Sequence, residues 1–241
     1  AWIVNHGQGG LSMQNINEIK DQICDVCHKM WQLGWVAAND GNVSVRLGDG
    51  TFLATPTGIS KSFITPEKLV KINAQGEILE ANDGYRPSSE MKMHMRCYEL
   101  RDDVGAVVHA HPPAATGFAV AHLPMDRYIM IEAAISLGSV PLTPFGVPST
   151  KEVPDAIAPY LPDHDAMLLE NHGAVTVGAD LCTAYYRMET LELWAKIELN
   201  ARLLGGEKEI SEKNIGRLLE LRKSAKVTGR HPGYRHYRKN K

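Results

Sequence analysis

Two histidines one residue apart, His109 and His111, close an apolar run at residues 104–108. The run, Val104-Gly105-Ala106-Val107-Val108, reads as a short buried strand, β-branched and apolar. Side chains at i and i+2 of a strand leave on the same face. The two imidazoles therefore stand side by side at the end of a rigid element, and Pro112-Pro113 stops the strand behind them. Two imidazoles held in this way supply half of a tetrahedral zinc site. Taken alone, the pair reads as readily as two unrelated polar residues at a strand end. A third histidine, His172, lies at the turn of a strand–turn–strand pattern over 165–178, beside the permissive backbone of Gly173. Glu90 follows Pro87-Ser88-Ser89, a helix-start signal. On spacing alone Glu90 is as good a capping carboxylate as a functional one.

The elements that must position these groups are legible in outline. Ile16, Ile19, Ile23, Val26, Met30 and Leu33 recur at helical spacing, which predicts a first helix over 17–33. A turn at 39–42 leads to an alternating strand at 43–47, and Gly48-Asp49-Gly50 turns the chain into a second strand at 51–55. A loop at 57–60 and a hairpin over 69–72 and 78–79 follow. Helices are expected from Ser88 to about Arg101, over 114–122 and over 152–160, with a proline-rich extended stretch at 140–147. Asp180 reads as the N-cap of a long helix over 181–204 that Gly205-Gly206 ends, and Ser211 as the cap of a last helix to about Ser224. Strands and helices intermingle through hairpins rather than regular βαβ units. The expected fold is a layered α/β (α+β-like) domain with a central, mostly antiparallel sheet between helical layers.

With 241 residues, 44% of them hydrophobic, the chain can bury a sizeable single core. One domain is expected over 13–241, with a basic, aromatic C-terminal tail from Gly229. Residues 1–12 read as an appended segment before Met13, and they lack the basic and apolar regions of a signal peptide. A net charge of -2 gives no general nucleic-acid surface. No apolar run approaches the roughly 20 residues that span a bilayer, so neither nucleic acid nor membrane is an expected partner. Cys24 and Cys27 match C-x-x-C but fall inside the first helical pattern, so they read as core residues rather than a redox or zinc motif. Cysteine usage of this kind fits a reducing cytoplasm.

Five motifs occur in order between about residues 16 and 205: Gly41-Asn42-Val43-Ser44, Thr55-Pro56-Thr57-Gly58, Pro87-Ser88-Ser89-Glu90, His109-Ala110-His111 and Asn171-His172-Gly173. Together they resemble the class II aldolase/adducin family, most closely its members that cleave L-fuculose 1-phosphate. The resemblance implies a class II aldolase/adducin-like fold and about one Zn2+ per chain, held by His109, His111 and His172. Mn2+ or Co2+ are expected substitutes. It also implies that Glu90 ligates the empty metal and serves as the catalytic acid/base. Asn42, Thr57, Gly58, Ser88 and Ser89 are implied to bind a substrate phosphate. Asn39 stands where the family usually has a threonine contact. Hydroxyls, backbone N–H groups and a helix N-terminus suit an anion, although each piece alone reads equally as a turn former or cap. Lys61 could add charge near the phosphate but reads better as an ordinary exposed lysine, and His94, four residues after Glu90, as a supporting or structural residue. His6, His28, His122, His164, His231 and His236 have no assigned role.

The expected activity is zinc-dependent cleavage of a ketose 1-phosphate, L-fuculose-1-phosphate-like or a deoxypentulose 1-phosphate, to dihydroxyacetone phosphate and a small aldehyde. The resemblance further implies a homotetramer with sites between subunits. Three alternatives share the scaffold. Sugar-phosphate 4-epimerases usually carry aspartate in place of Glu90, and methylthioribulose-phosphate dehydratases usually have alanine in place of Ser89; a decarboxylase stays open. A non-enzymatic, adducin-like interaction protein would not need three histidines and Glu90. One departure bears on the substrate. Where the aldolase pattern has an active-site tyrosine, an ungapped reading gives Met130, with Tyr128 two residues earlier. The apolar, adaptable methionine predicts tolerance of aldehydes with fewer hydroxyls. Phe145 and the 125–132 stretch are the expected specificity elements. The tail reads either as a solvated terminus or as a lid that brings Tyr234 or Tyr237 over the site as proton donor.

Overall fold

The structure, a computed structural model, describes residues 15–233. The readings made for residues 1–12, Tyr234 and Tyr237 lie outside them. Helix α1, Ile16–Gln32, starts where the Asn15 side chain accepts the Asn17 N–H at 3.1 Å, and it turns Ile19, Ile23, Cys24, Val26, Cys27 and Met30 into the core. Both cysteines of the C-x-x-C are thus buried packing residues, and burial pushes the Cys27 thiol up to about 12.

Strands β1 (Asn42–Arg46), β2 (Phe52–Ala54), β3 (Val70–Ile72) and β4 (Ile78–Glu80) form a meander on one side of the sheet. Helix α2, Met91–Leu100, leads into β5, Ala106–Ala110. Helices α3 (Pro113–Val120) and α4 (Ile131–Ser136) precede β6, Leu142–Thr143, and α5, Glu152–Ile157. Strands β7 (Ala166–Leu169) and β8 (Gly173–Gly178), then α6 (Leu181–Leu203) and α7 (Glu212–Ser224), complete the described chain. The sheet order is β4-β3-β2-β1-β5-β8-β7-β6. All pairings are antiparallel except β6 with β7, in line with the layered, mostly antiparallel expectation.

Strand parity divides the core. Ala106, Val108 and Ala110 of β5 pack with α1, α3 and α6 through Met30, Phe118, Met188, Leu191 and Trp194. Val107 faces the other way, with Val175 and Val177 of β8, onto Met93, Cys97 and Tyr98 of α2 and Val153 and Ile157 of α5. His109 shares the α2 face with Val107.

Four expectations need correction. Helix α2 begins at Met91, three residues later than Ser88, because Ser88-Ser89-Glu90 forms a turn first. Helix α4 was not anticipated; at six residues it is too short to show a period. Nor were the short 3-10 turns at Lys61–Phe63 and Pro66–Lys68. Lys61 is fully buried rather than exposed.

The chain beyond α7 is tied back to the sheet. The fully buried Asp165, just before β7, pairs with Arg101 at 2.7 Å and Arg187 at 2.9 Å and accepts the Arg230 N–H at 2.8 Å. Arg187 and Arg222 both donate to the Thr228 carbonyl, at 2.9 and 3.0 Å. Removing one partner of a buried ion pair leaves the other charge uncompensated. Asp165→Ala is therefore expected to cost about 3–5 kcal/mol of unfolding free energy, read as a lower urea midpoint with the slope unchanged. A loss below about 1 kcal/mol, the range of exposed pairs, would show that Asp103 and the surrounding carbonyls already satisfy the two arginines.

Candidate metal and active site

β5 lies in the middle of the sheet, between β1 and β8, so His109 is held from both sides. Asn42 of β1 pairs with His109, and so does Val175 of β8. His111 sits just past the strand, where its backbone N–H donates to the Trp35 carbonyl at 2.9 Å. His172 comes from the turn joining β7 and β8. Asn171 enters that turn in the left-handed region, with φ 54°, a conformation asparagine tolerates better than most residues. Two glycines allow the strands to close. A Cβ on Gly173 would lie 2.5 Å from His111 Cδ2 and 2.6 Å from the Ala110 carbonyl. Gly41, with φ 70°, lies against the His109 carbonyl, which a Cβ would approach to 2.9 Å.

The three rings meet, with centroids 4.7 to 5.0 Å apart. One ligand nitrogen from each lies within 4.8 Å of the others, and the Nε2 atoms of His109 and His111 are 3.2 Å apart. His109 Nδ1–H donates to the Ala174 carbonyl at 2.9 Å, which fixes the ring so that Nε2 faces the cluster. His111 Nδ1 lies 3.6 Å from the Asp40 carboxylate. Burial first, then the neighbouring His109, lowers His111 to about 3 and His172 to about 4. At neutral pH both are uncharged, as a metal ligand must be.

Glu90 occupies the N-cap position of α2, but its side chain makes no capping bond. The carboxylate turns to the histidines instead: Oε2 is 3.4 Å from His109 Nε2 and Oε1 is 3.3 Å from His172 Nε2. Oε1 is buried and has no hydrogen-bond partner. Burial alone raises the carboxyl pKa, but His109, whose own pKa Glu90 raises in turn, and the Asn42 amide outweigh it and hold the group ionised, well below the usual range. Three imidazole nitrogens converge beside a carboxylate whose Oε1 has no hydrogen-bond partner, an arrangement consistent with a divalent metal site.

The loops implied to hold phosphate lie beside Glu90. Residues 55–58 and 86–89 are zipped together: Thr57 N–H donates to Arg86 O at 2.9 Å, Ser88 N–H to Thr55 O at 3.2 Å, and Pro56 bridges Pro87. Thr57, Gly58 and Ser89 are exposed, and Ser88 is half-buried. The Ser88 hydroxyl accepts the Glu90 N–H at 3.3 Å, and Ser89 Oγ meets Ser149 Oγ at 2.7 Å. Asn42 is buried and donates its amide to Glu90 Oε2 at 2.8 Å and Ser88 Oγ at 3.2 Å. The Asn39 side chain is exposed, while its carbonyl accepts from the buried Lys61 Nζ at 3.4 Å. Lys61 also donates to Ile59 O at 3.3 Å and so ties the two loops together. Sequence reasoning misses the burial of Lys61 and the approach of Asp40 to His111, since both join loops distant in sequence.

Other readings fall elsewhere. His94 is fully buried under the site, and burial lowers its pKa to about 3. His28, His164 and His231 each bond a backbone carbonyl, and His122 bonds Asn171 Oδ1 at 2.7 Å. His6 and His236 lie outside the described residues. Met130 precedes α4 and packs against the main core. Tyr128 is buried with Ala134 and Ile215 of α7, and Phe145 is exposed. Among the described residues, no helix is long and apolar enough to cross a membrane.

Residues 21–199 match the family model of the Class II Aldolase and Adducin N-terminal domain. The L-fuculose phosphate aldolase of Escherichia coli O6:H1 is 34% identical over 183 residues, 76% of this chain and 83% of that enzyme. The 3-oxo-tetronate 4-phosphate decarboxylase of the same organism is 31% identical over 212 residues, 85% of this chain and 95% of that enzyme. Among solved structures, an L-fuculose 1-phosphate aldolase superposes with a TM-score of 0.79 at 27% identity, covering 89% of this chain and 100% of that one. The L-fuculose-1-phosphate aldolase of Thermus thermophilus superposes with a TM-score of 0.69 at 33% identity, covering 80% and 98%. The motif order, the histidine cluster and a family match across most of the sequence agree: this chain belongs to the class II aldolase/adducin family.

Proposed function

We propose that this protein is a zinc-dependent class II aldolase that cleaves a ketose 1-phosphate to dihydroxyacetone phosphate and a small aldehyde. The observation that carries the reading is the Glu90 carboxylate held against the converging Nε2 atoms of His109 and His172, with Oε1 unsatisfied. His109, His111 and His172 would hold the metal, with Glu90 beside them. When bound, zinc supplies Lewis-acid polarisation of the substrate's carbonyl and hydroxyl oxygens. Glu90 then moves the proton at the carbon that loses the aldehyde, as a positioned general acid/base. Thr57, Gly58, Ser88 and Ser89, grouped on two zipped loops next to Glu90, would take the phosphate, with Asn42 at the boundary between phosphate and acid/base. The family resemblance supports a homotetramer, for which sedimentation analysis is the direct measurement.

Decarboxylation of a phosphorylated 3-oxo acid is the second reading. It is favoured by Met130, which offers no hydroxyl to exchange a proton with the oxygen that becomes the aldehyde (taking it in cleavage, returning it in condensation), and by the 31% identity to the decarboxylase over 95% of that enzyme. Glu90 serves it equally, since loss of carbon dioxide also leaves a carbon to protonate.

One panel separates the two. The metal-loaded protein should release dihydroxyacetone phosphate from L-fuculose 1-phosphate, its epimers and a 5-deoxypentulose 1-phosphate. Their specificity constants should differ modestly, because apolar pockets separate near-isosteric substrates by about 1–3 kcal/mol. Carbon dioxide release from 3-oxo-tetronate 4-phosphate, with no cleavage of the ketose phosphates, would replace the aldolase reading with the second. Elemental analysis should give about one zinc per chain, and activity that survives exhaustive chelation would exclude both metal-dependent readings.

Glu90→Gln should keep zinc on the three histidines and lower turnover by about 10²–10⁴-fold. Exchange of the dihydroxyacetone phosphate proton with deuterated water should stop in the same variant; exchange at the wild-type rate would make another group the base. Ser89→Ala should raise KM severalfold with the metal retained. An unchanged KM, or a wild-type preference for unphosphorylated sugars, would remove these loops from the phosphate site.

A further inference from the structure

Beneath the site runs a line of buried polar groups that the proposed chemistry leaves unused. Asn42 Nδ2 donates to Glu90 Oε2 at 2.8 Å, and Asn42 Oδ1 lies 2.6 Å from His94 Nε2. On the other side of the ring, His94 Nδ1 is 2.7 Å from Ser44 Oγ, which is 2.8 Å from Tyr98 Oη. Asn42, Ser44, His94 and Tyr98 are all buried. The spacing follows from the secondary structure. Asn42 and Ser44 are i and i+2 of β1, so they share a face, and His94 and Tyr98 are i and i+4 of α2, so they share a stripe.

From these contacts we infer that His94 is a positioning residue for Glu90, acting through the Asn42 carboxamide. The inference rests on the acid/base reading of Glu90 given above. An ionised carboxylate only accepts, so the amide nitrogen of Asn42 must face Glu90 and its oxygen must face His94. His94 Nε2 must then carry the proton. In a neutral imidazole Nδ1 accepts, so the Ser44 hydroxyl donates to it and Ser44 accepts from Tyr98. Every donor in the line points toward Glu90, and each member fixes the orientation of the next. Without the His94 N–H, the carboxamide can rotate and set its oxygen against the carboxylate.

The line engages Oε2 and leaves Oε1 without a partner. Oε1, on the His172 side, is therefore the oxygen that takes and returns the proton, while Asn42 holds Oε2 throughout. The second amide N–H of Asn42 goes to Ser88 Oγ at 3.2 Å. One carboxamide thus sets the acid/base group and the edge of the phosphate loop in register.

The test pairs kinetics with a measurement that needs no substrate. In the ¹⁵N-labelled wild-type protein, loaded with zinc, NMR should find His94 as the Nε2–H tautomer with a slowly exchanging proton. An Nδ1–H tautomer reverses the line and overturns the inference whatever the activity. His94→Leu should lower kcat by about 10- to 100-fold, the range typical of residues that hold a site's ligands in place, with zinc content kept and KM rising by much less than kcat falls. His94→Gln, which restores a donor to Asn42, should recover most of the loss. Should the leucine variant fold poorly, Tyr98→Phe, which removes only the last hydroxyl, should lower kcat in the same direction by less. Wild-type kcat in both variants, or a loss that glutamine does not rescue, overturns the inference. Wild-type turnover in Glu90→Gln instead overturns the acid/base reading itself, and with it any positioning role for His94, although the tautomer would stand.

Discussion

Three imidazole nitrogens and a carboxylate sit within a few ångströms of one another with no donor between Glu90 Oε1 and the ring that faces it. Such a group of acceptors resists assembly, because each buried polar atom without a partner carries a desolvation cost. Only a rigid frame can hold it. The frame here is β5, paired on both sides in the middle of an eight-stranded sheet, with His109 opposite Asn42 on one side and Val175 on the other. Alternate β5 side chains bury in opposite halves of the core. The position of His109 is therefore fixed by the same packing that stabilises the fold.

The remaining groups reach the site at places where chain direction changes. Glu90 is at the start of α2, His111 just beyond β5, and His172 in the turn before β8. At each place the backbone is fixed by something specific: the Trp35 carbonyl for His111, and the left-handed Asn171 and the Gly173 approach for His172. For Glu90 it is the zipped pair of loops and the Asn42 amide. The groups proposed to bind substrate therefore lie on connections, while the histidines of the candidate metal site lie on or beside strands. That division is the usual one between a rigid scaffold and functional loops.

Much of this was legible in the sequence, for reasons that differ by residue. The same-face geometry of His109 and His111 follows from strand period alone. The long helices declare themselves differently, α1 by apolar spacing and α6 by the Asp180 cap and the Gly205-Gly206 stop. His172 and Glu90 do not: nothing local separates them from a turn histidine and a capping carboxylate, and only the order of five motifs joined them to the pair. The structure resolves the carboxylate, which sits at the cap position without capping. Lys61 was misread because its burial depends on carbonyls of Asn39 and Ile59, contacts between loops that no local pattern reports. The sequence starts helix α2 three residues early because proline and serines signal a helix start without fixing which residue begins it. Helix α4 and the parallel strand β6 are too short for either period to register.

Where sequence and fold speak least is also where the family's reactions diverge. On the proposed reading, breaking a carbon–carbon bond next to a polarised carbonyl asks the same of His109, His111, His172 and Glu90 whether an aldehyde or carbon dioxide departs. In both cases a carbon is left that needs a proton from one well-aimed group. The reactions differ in what the departing fragment needs. Met130 packs into the core and Tyr128 is buried beneath α7, so neither position offers an exposed hydroxyl to a departing oxygen. The central sheet therefore fixes the shared half of the chemistry. Choice of substrate is left to residues outside the sheet, which can change without disturbing the donors that β5 and its neighbours hold.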